Sequence, residues 1–201
     1  MLRKTFVKAE EIFRNHNGIL RTGQAKKLGI NEYTLVQMTE AGLLVREARG
    51  LYRLADLPPL SSPDLVKVAM RVPDSVICLI SALSFHNLTT QIPYRVYIAL
   101  PRSLKAPQFD YPPLDIVYMS ADPYIAGIEK HSIDGVLVRI YNQEKTIADC
   151  FKFRNKIGKD VALEALKDYL KLPDRQISTL IEYAKINRVE NIMRPYLEAS
   201  L

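Results

Sequence analysis

Residues 22–42, TGQAKKLGINEYTLVQMTEAG, decide how the first quarter of the chain is read. Thr22 is placed to cap a short helix, Gly23 to Leu28, that stops at Gly29. Asn31 then caps a second helix running from Glu32 to about Ala41, closed by Gly42. A helix-turn-helix needs a small residue where its helices touch, a glycine in the turn, and apolar residues on the second helix facing the first. Ala25 and Gly29 meet the first two needs, and Leu35 with Met38 meets the third. Any two short amphipathic helices joined at a glycine would share part of this pattern, so the flanking sequence has to decide.

Downstream, residues 43–54, LLVREARGLYRL, read as strand, Arg49-Gly50 turn and strand, which is where the wing of a winged helix belongs. Upstream, residues 5–16 place Phe6, Ala9, Ile12 and Phe13 on one helical face, with Thr5 as N-cap and Asn17-Gly18 as the stop. Ile19-Leu20 is expected to fill the core between helices. Charge follows the same boundary. The chain holds 28 Lys plus Arg against 22 Asp plus Glu, a net charge of +6, yet residues 1–55 hold ten of the bases and only five of the acids. A basic helix-turn-helix with a wing points to double-stranded DNA, since Lys and Arg contacts to phosphate supply sequence-independent affinity.

Roles within such a module can be assigned from position. Arg46, Arg49 and Arg53 would stand at the wing to reach phosphates, and Arg21, Thr22, Gln24, Lys26 and Lys27 lie on the first helix, suited to the DNA backbone. Asn31, Glu32, Tyr33, Thr34 and Gln37 occupy the N-terminal half of the second helix, where recognition helices meet base edges. Gln37 suits adenine, and Tyr33 or Thr34 a thymine methyl or a phosphate. That helix carries no Lys or Arg but does carry Glu32 and Glu40, which weakens its base readout. The alternative for the wing is an ordinary hairpin whose basic residues blunt an exposed edge.

Residues 56–63, DLPPLSSP, read as a semi-rigid linker between a module of residues 1–55 and a second domain of residues 64–201. Ten of the twelve prolines fall between Pro58 and Pro123, so that region should be short elements broken by loops. Asp64 to Arg71 reads as a short helix and Val76 to Asn87 as a buried helix, although periodicity does not separate the latter from a strand. Tyr94–Leu100, Leu114–Met119 and a hairpin of Ile128–Ile133 with Val136–Tyr141 read as strands. Helices follow at 143–154, 159–171, 174–185 and 188–199. Strands followed by helices make the fold class α+β: a winged helix-turn-helix, then a mixed domain ending in a helical part.

No catalytic signature emerges from the second domain. His86 and His131 are isolated, His16 lies at a helix end, and metal-ligand spacings, Gly-rich phosphate loops and nucleophile elbows are missing from the sequence. Neither a metal nor a cofactor is expected. Glu144 and Asp149 would lie roughly 140° apart around one helix, a poor arrangement for a shared active site. Lys152, Arg154, Lys156 and Lys159 form a basic run that suits a solvated loop between helices, or contact with nucleic acid or an acidic partner. Cys78 and Cys150 are flanked by apolar residues and read as buried free thiols. The N-terminus, MLRKTFVKAEEIF, lacks the apolar core of a signal peptide, and no apolar run approaches the ~20 residues needed to span a bilayer. A cytoplasmic protein without membrane contact is expected.

Several segments, taken together, resemble the AbiEi-type antitoxins. The first is the run from Gly23 through Ala25, Gly29 and Gly42-Leu43 to Arg49-Gly50-Leu51-Tyr52-Arg53-Leu54. The others are Val76 to Leu83 with His86-Asn87-Leu88-Thr89, then Val96 to Pro101, Gly127-Ile128-Glu129, and Glu144-Lys145-Thr146-Ile147-Ala148-Asp149-Cys150. They cover about residues 5–155. The resemblance implies an antitoxin of a bacterial type IV toxin–antitoxin system, linked to abortive infection against phage. Such a protein represses its own operon at inverted repeats through the winged helix. Its C-terminal domain counteracts a nucleotidyltransferase toxin without a tight complex. The Gly-Ser and Asp-x-Asp pattern of the toxin is missing here. Two other readings stay open: a winged-helix transcriptional regulator whose second domain senses a small ligand, which would show an apolar pocket, and an enzyme with an appended DNA-binding domain. The enzyme would gather titratable residues in a cleft around His86, His131 or Asp149.

Overall fold

The structure, a computed structural model, describes residues 2–199, with side chains from residue 4 onward. It divides into two compact units, one running to Arg71 and including Ser132–Val136, the other holding Val72–His131 and the chain from Leu137.

The first unit opens with α1 (Leu2–Arg14), β1 (Ile19–Arg21) and α2 (Thr22–Lys27), followed by α3 (Glu32–Glu40), β2 (Leu44–Ala48), β3 (Leu51–Leu54) and α4 (Pro63–Arg71). Thr5 therefore sits inside α1 rather than capping it, because the helix starts earlier than its apolar spacing suggests. The chain leaves α1 through two left-handed residues, Asn17 at φ 57° and Gly18 at φ 75°, with the Gly18 N–H donating to Phe13 O at 2.7 Å. This is a helix C-terminal closure that glycine makes without strain. Ile19-Leu20 is buried as expected, and it is also a strand: β1 pairs antiparallel with β3, which makes β3 the centre of a three-stranded sheet ordered β1-β3-β2. Ala9 and Phe13 of α1, Ala25 of α2, Leu35 and Met38 of α3, and Leu20, Leu44 and Leu54 of the sheet form the core. Residues 55–62 contain neither helix nor strand.

The second unit is a mixed sheet packed with helices. Its strands are β4 (Val76–Ile77), β5 (Val96–Pro101), β6 (Leu114–Met119), β7 (Ile128–Ile133) and β8 (Val136–Tyr141), in the order β6-β5-β4-β8-β7. β5 runs antiparallel to β4 and parallel to β6, and β4 runs parallel to β8. The helices are α5 (Leu79–Phe85), α6 (Ala121–Ile125), α7 (Gln143–Lys152), α8 (Arg154–Ile157), α9 (Lys159–Leu170), α10 (Ile177–Ile186) and α11 (Glu190–Glu198). The run from Val76 is thus not one helix. Its first two residues form the central strand, and the chain turns into α5 at Leu79, a buried residue held at φ 46°. Among the described residues, no helix is long and apolar enough to cross a membrane.

α7 is the axis of this unit, touching α5, α9, α10 and α11. Every residue from Lys145 to Phe151 is buried, as befits a helix enclosed on all sides. Cys78 and Cys150 are free and fully buried, and burial pushes both thiols well above their ordinary range. Gly127 makes the approach to α7 possible. It has φ 70°, its carbonyl accepts from the Asn142 N–H at 2.8 Å, and a Cβ added to it would lie 2.6 Å from Lys145 Cβ. Gly127→Ala is therefore expected to destabilise the protein by about 2 kcal/mol through backbone strain and overpacking, read as a lower midpoint in denaturant unfolding.

His86, at the end of α5, lies with Nε2 2.7 Å from the Tyr141 carbonyl oxygen. Burial lowers its imidazole pKa below the ordinary 6.5, against a smaller opposing effect of that hydrogen bond. Between the lowered value and 6.5 the unfolded chain binds a proton that the folded chain does not, so stability is present above 6.5 and lost as pH falls through that window. Thermal unfolding of wild type should drop on acidification through this range, and in His86→Gln that part of the drop should vanish.

Candidate nucleic-acid interface

The first unit builds an exposed basic surface from its helix-turn-helix and wing. Asn31 caps α3, its Oδ1 accepting from the Thr34 N–H at 2.7 Å, as the sequence predicts. α2 is held at its start by Gln24, whose Oε1 accepts from the Arg21 N–H at 3.0 Å. The Thr22 N–H donates to Gly50 O at 2.9 Å, which ties the first residue of α2 to the turn of the wing. The wing itself carries an irregularity in pairing between Arg46 and Ala48, opposite β3.

Burial sorts the residues of α3. Leu35 and Met38 are fully buried, and Thr34 joins them at 5% exposure. Tyr33 at 66% and Val36 at 45% stand on the opposite face, with Gln37 half-buried beside them. The outward face is thus Tyr33, Val36, Gln37 and Glu40, the i, i+3, i+4, i+7 set. Thr34 does not share it, and Val36, which sequence reasoning missed, does. Glu32 does not stand alone, because Lys26 pairs with it at 2.7 Å. Gln37 Nε2 donates to Glu40 Oε2 at 2.7 Å.

The three wing arginines separate. Arg46 lies exposed on β2 and Arg49 exposed in the turn. Arg53 is turned inward at 7% exposure, with Nε donating to Glu47 at 2.6 Å and Nη1 to the carbonyls of Leu54 and Leu57 at 2.9 and 2.7 Å. It is a structural residue of the sheet rather than part of the outer surface. Arg14 likewise takes up two carboxylates, Glu10 at 2.7 Å and Asp56 at 2.5 Å. With Glu10, Glu32 and Glu47 engaged internally, Arg21, Lys27, Arg46 and Arg49 have no carboxylate within ion-pair distance among the described residues. Lys4 and Lys8 on α1 are two further exposed cations of the same kind. Gln24, Lys26 and Asn31 are exposed, while Arg21 and Thr22 are half-buried.

In the second unit the basic run of residues 152–159 is broken up. A one-turn helix, α8, occupies its middle. Lys156 pairs with Asp115, Arg154 Nη1 donates to Phe151 O at 2.8 Å, and Lys159 sits over the Tyr196 ring.

Residues 8–55 match the sequence model of a family described as AbiEi antitoxin, a transcriptional regulator. No curated protein matches the chain. Among solved structures, the crystal structure of the RV2827C protein from Mycobacterium tuberculosis is similar with a TM-score of 0.55 and 13% identity, over 94% of this chain and 79% of that one. This likeness is one of fold alone, and the family model does not reach the second unit. Through residues 8–55, its helix-turn-helix and wing, the chain is similar to the AbiEi antitoxin family of transcriptional regulators.

Proposed function

We propose that the protein is a DNA-binding antitoxin of a type IV toxin–antitoxin system, which represses its own operon and counteracts a nucleotidyltransferase toxin without forming a tight complex. DNA binding falls to residues 1–55, with 56–63 as the connecting segment and the antitoxin activity in residues 64–201. The observation that carries the DNA reading is the basic surface of the helix-turn-helix and wing, where Glu32 and Glu47 are taken up by Lys26 and Arg53 while Arg21, Lys27, Arg46 and Arg49 have no carboxylate partner among the described residues. On this reading α3 lies in the major groove of an inverted repeat, with Tyr33, Val36 and Gln37 toward base edges. Val36 suits a thymine methyl. Arg21, Gln24, Lys27, Arg46 and Arg49 contact phosphates. Lys26 bonds Glu32 and shapes the start of α3, Asn31 and Thr34 hold its cap, and Thr22 anchors the wing turn. Arg53 has no part in contact.

Mobility-shift titration against the protein's own upstream DNA, repeated over a salt series, tests this. The double variant Arg46→Ala/Arg49→Ala should weaken binding across sequences and reduce the slope of log K against log salt by about 2, one unit for each lost phosphate contact. An unchanged slope would remove the wing from the interface. A nucleotidyltransferase gene adjacent to this one is the expected toxin, and co-expression with its product tests the antitoxin half: growth should be restored, and the two proteins should not co-purify.

A further inference from the structure

We propose that a polar cavity in the second unit, walled by Glu129, Glu144 and Asp174 together with His86 and His131, is a binding site for a small organic cation carrying an ammonium or guanidinium group. The cavity measures about 420 Å³, within the roughly 300–1,000 Å³ typical of small-molecule sites. It draws its walls from the end of α5, from β7, from the start of α7, and from the loop before α10. This inference stands on the second unit alone and does not depend on DNA binding.

The walls are fixed before any ligand arrives. Glu144 Oε1 accepts from the Tyr169 hydroxyl at 2.7 Å, and that same hydroxyl accepts from the Gln176 N–H at 2.5 Å. One tyrosine thus anchors both the carboxylate of α7 and the loop that carries Asp174. His131 Nε2 meets Glu129 at 3.0 Å on β7, and the His131 ring packs edge-on to Phe85 at 4.8 Å between centroids. His86 is held by Tyr141 O at 2.7 Å. A carbonyl oxygen can only accept, so Nε2 carries the proton and Nδ1 of a neutral His86 ring is left as an acceptor.

Ligand class follows from charge and donor set. No Lys or Arg lines the cavity, and three carboxylates do. Three carboxylates outnumber the two imidazoles, so the lining carries an excess of negative charge. An anion is therefore repelled. Metal coordination does not fit, because among the described residues no three His, Cys, Asp or Glu groups converge as a metal would require. What remains is a cation that satisfies separated acceptors through several N–H donors, which an ammonium or guanidinium does by charge-assisted hydrogen bonds. The remaining lining, including Gln176 and Thr179, supplies neutral donors and acceptors for the rest of such a molecule. This is not the apolar pocket expected of a hydrophobic effector. The clustering of titratable groups around His86 and His131 is real, and the same charge argument assigns it to cation recognition.

Isothermal titration of the full chain with agmatine tests the assignment, with the capped tripeptide acetyl-Gly-Arg-Gly-amide as a second probe and butylurea as an uncharged control. Agmatine or the arginine peptide should bind saturably at one per chain, with butylurea silent. The double variant Glu129→Gln/Asp174→Asn should lose at least tenfold in affinity. Both changed side chains are exposed, and thermal unfolding checks that the variant folds. Preference for agmatine identifies a free metabolite as the source of the cation, and preference for the peptide identifies a protein side chain. The proposal is overturned if neither probe saturates, if butylurea binds equally, or if the folded double variant binds as wild type does. Promoter-DNA binding by that variant should be unchanged, so failure here and failure of the DNA reading are separate results.

Discussion

Arg53→Ala should cost the first unit on the order of 3 kcal/mol of stability, while Arg46→Ala and Arg49→Ala should leave its unfolding curve in place. All three residues are basic and within eight positions of one another on the same hairpin, so the contrast is a test of geometry alone. Arg53 and Glu47 pair at 2.6 Å with side chains only 9% and 15% exposed, and the guanidinium also serves two carbonyl oxygens. Truncating it leaves the Glu47 carboxylate without its counter-charge and takes a donor from both carbonyls. Arg46 and Arg49 extend into solvent, and surface substitutions of that kind fall within about 0.5 kcal/mol of neutral. Denaturant unfolding followed by circular dichroism measures both. If Arg53→Ala unfolds as wild type does and instead loses DNA affinity, the inward arginine is a DNA contact after all.

The reason Arg53 misleads a sequence reader is specific. Along an isolated two-stranded hairpin, alternation leaves one face wet, and a charge four residues beyond the turn arginine is assigned to that face. Here β3 is the central strand, and all four of its residues are buried. Its second neighbour is β1, whose three residues are too few to show any period. By contrast, α3 was legible from its cap and its closing glycine, and its phase was legible as well. Once Leu35 and Met38 are assigned to the core, Thr34 lies four residues before Met38 on the same side, and Val36 falls outward with Tyr33. The strands from Leu114 to Tyr141 follow their β-rich runs and the Asp134-Gly135 turn. The break between β4 and α5 left no sign, because an unbroken apolar run satisfies strand and helix equally and the turn falls on a leucine. The second unit's cavity was invisible for another reason: its carboxylates and imidazoles come from segments up to ninety residues apart, and only the fold gathers them.

Asp149→Ala should be the most damaging single change in the second unit, at about 3–5 kcal/mol, while the double variant Lys145→Met/Asp149→Leu should be near neutral or more stable than wild type. Lys145 and Asp149 lie one helical turn apart on α7, both fully buried, and pair at 2.5 Å. Around them the ammonium faces the Tyr141 ring at 4.2 Å, and Asn187 Nδ2 donates to Asp149 Oδ1 at 2.7 Å. Asp149 Oδ2 and Asn187 Oδ1 lack protein partners, so the network is incompletely satisfied even when intact. Removing the carboxylate leaves an ammonium in the centre of five helices and a sheet with no counter-charge, which is why the single change is so costly. Removing both charges abolishes two desolvation penalties along with one attraction, and two apolar side chains refill most of the volume. The outcome separates two explanations for a lysine at 0% exposure. If the double variant is as stable as wild type, the ion pair is not what holds α7 in place, and the surrounding apolar contacts of Ile147, Cys150 and Phe151 carry that load. If instead the double variant falls as far as Asp149→Ala, the pair with Asn187 is the register lock between α7 and the turn after α10, and the packing alone does not specify it.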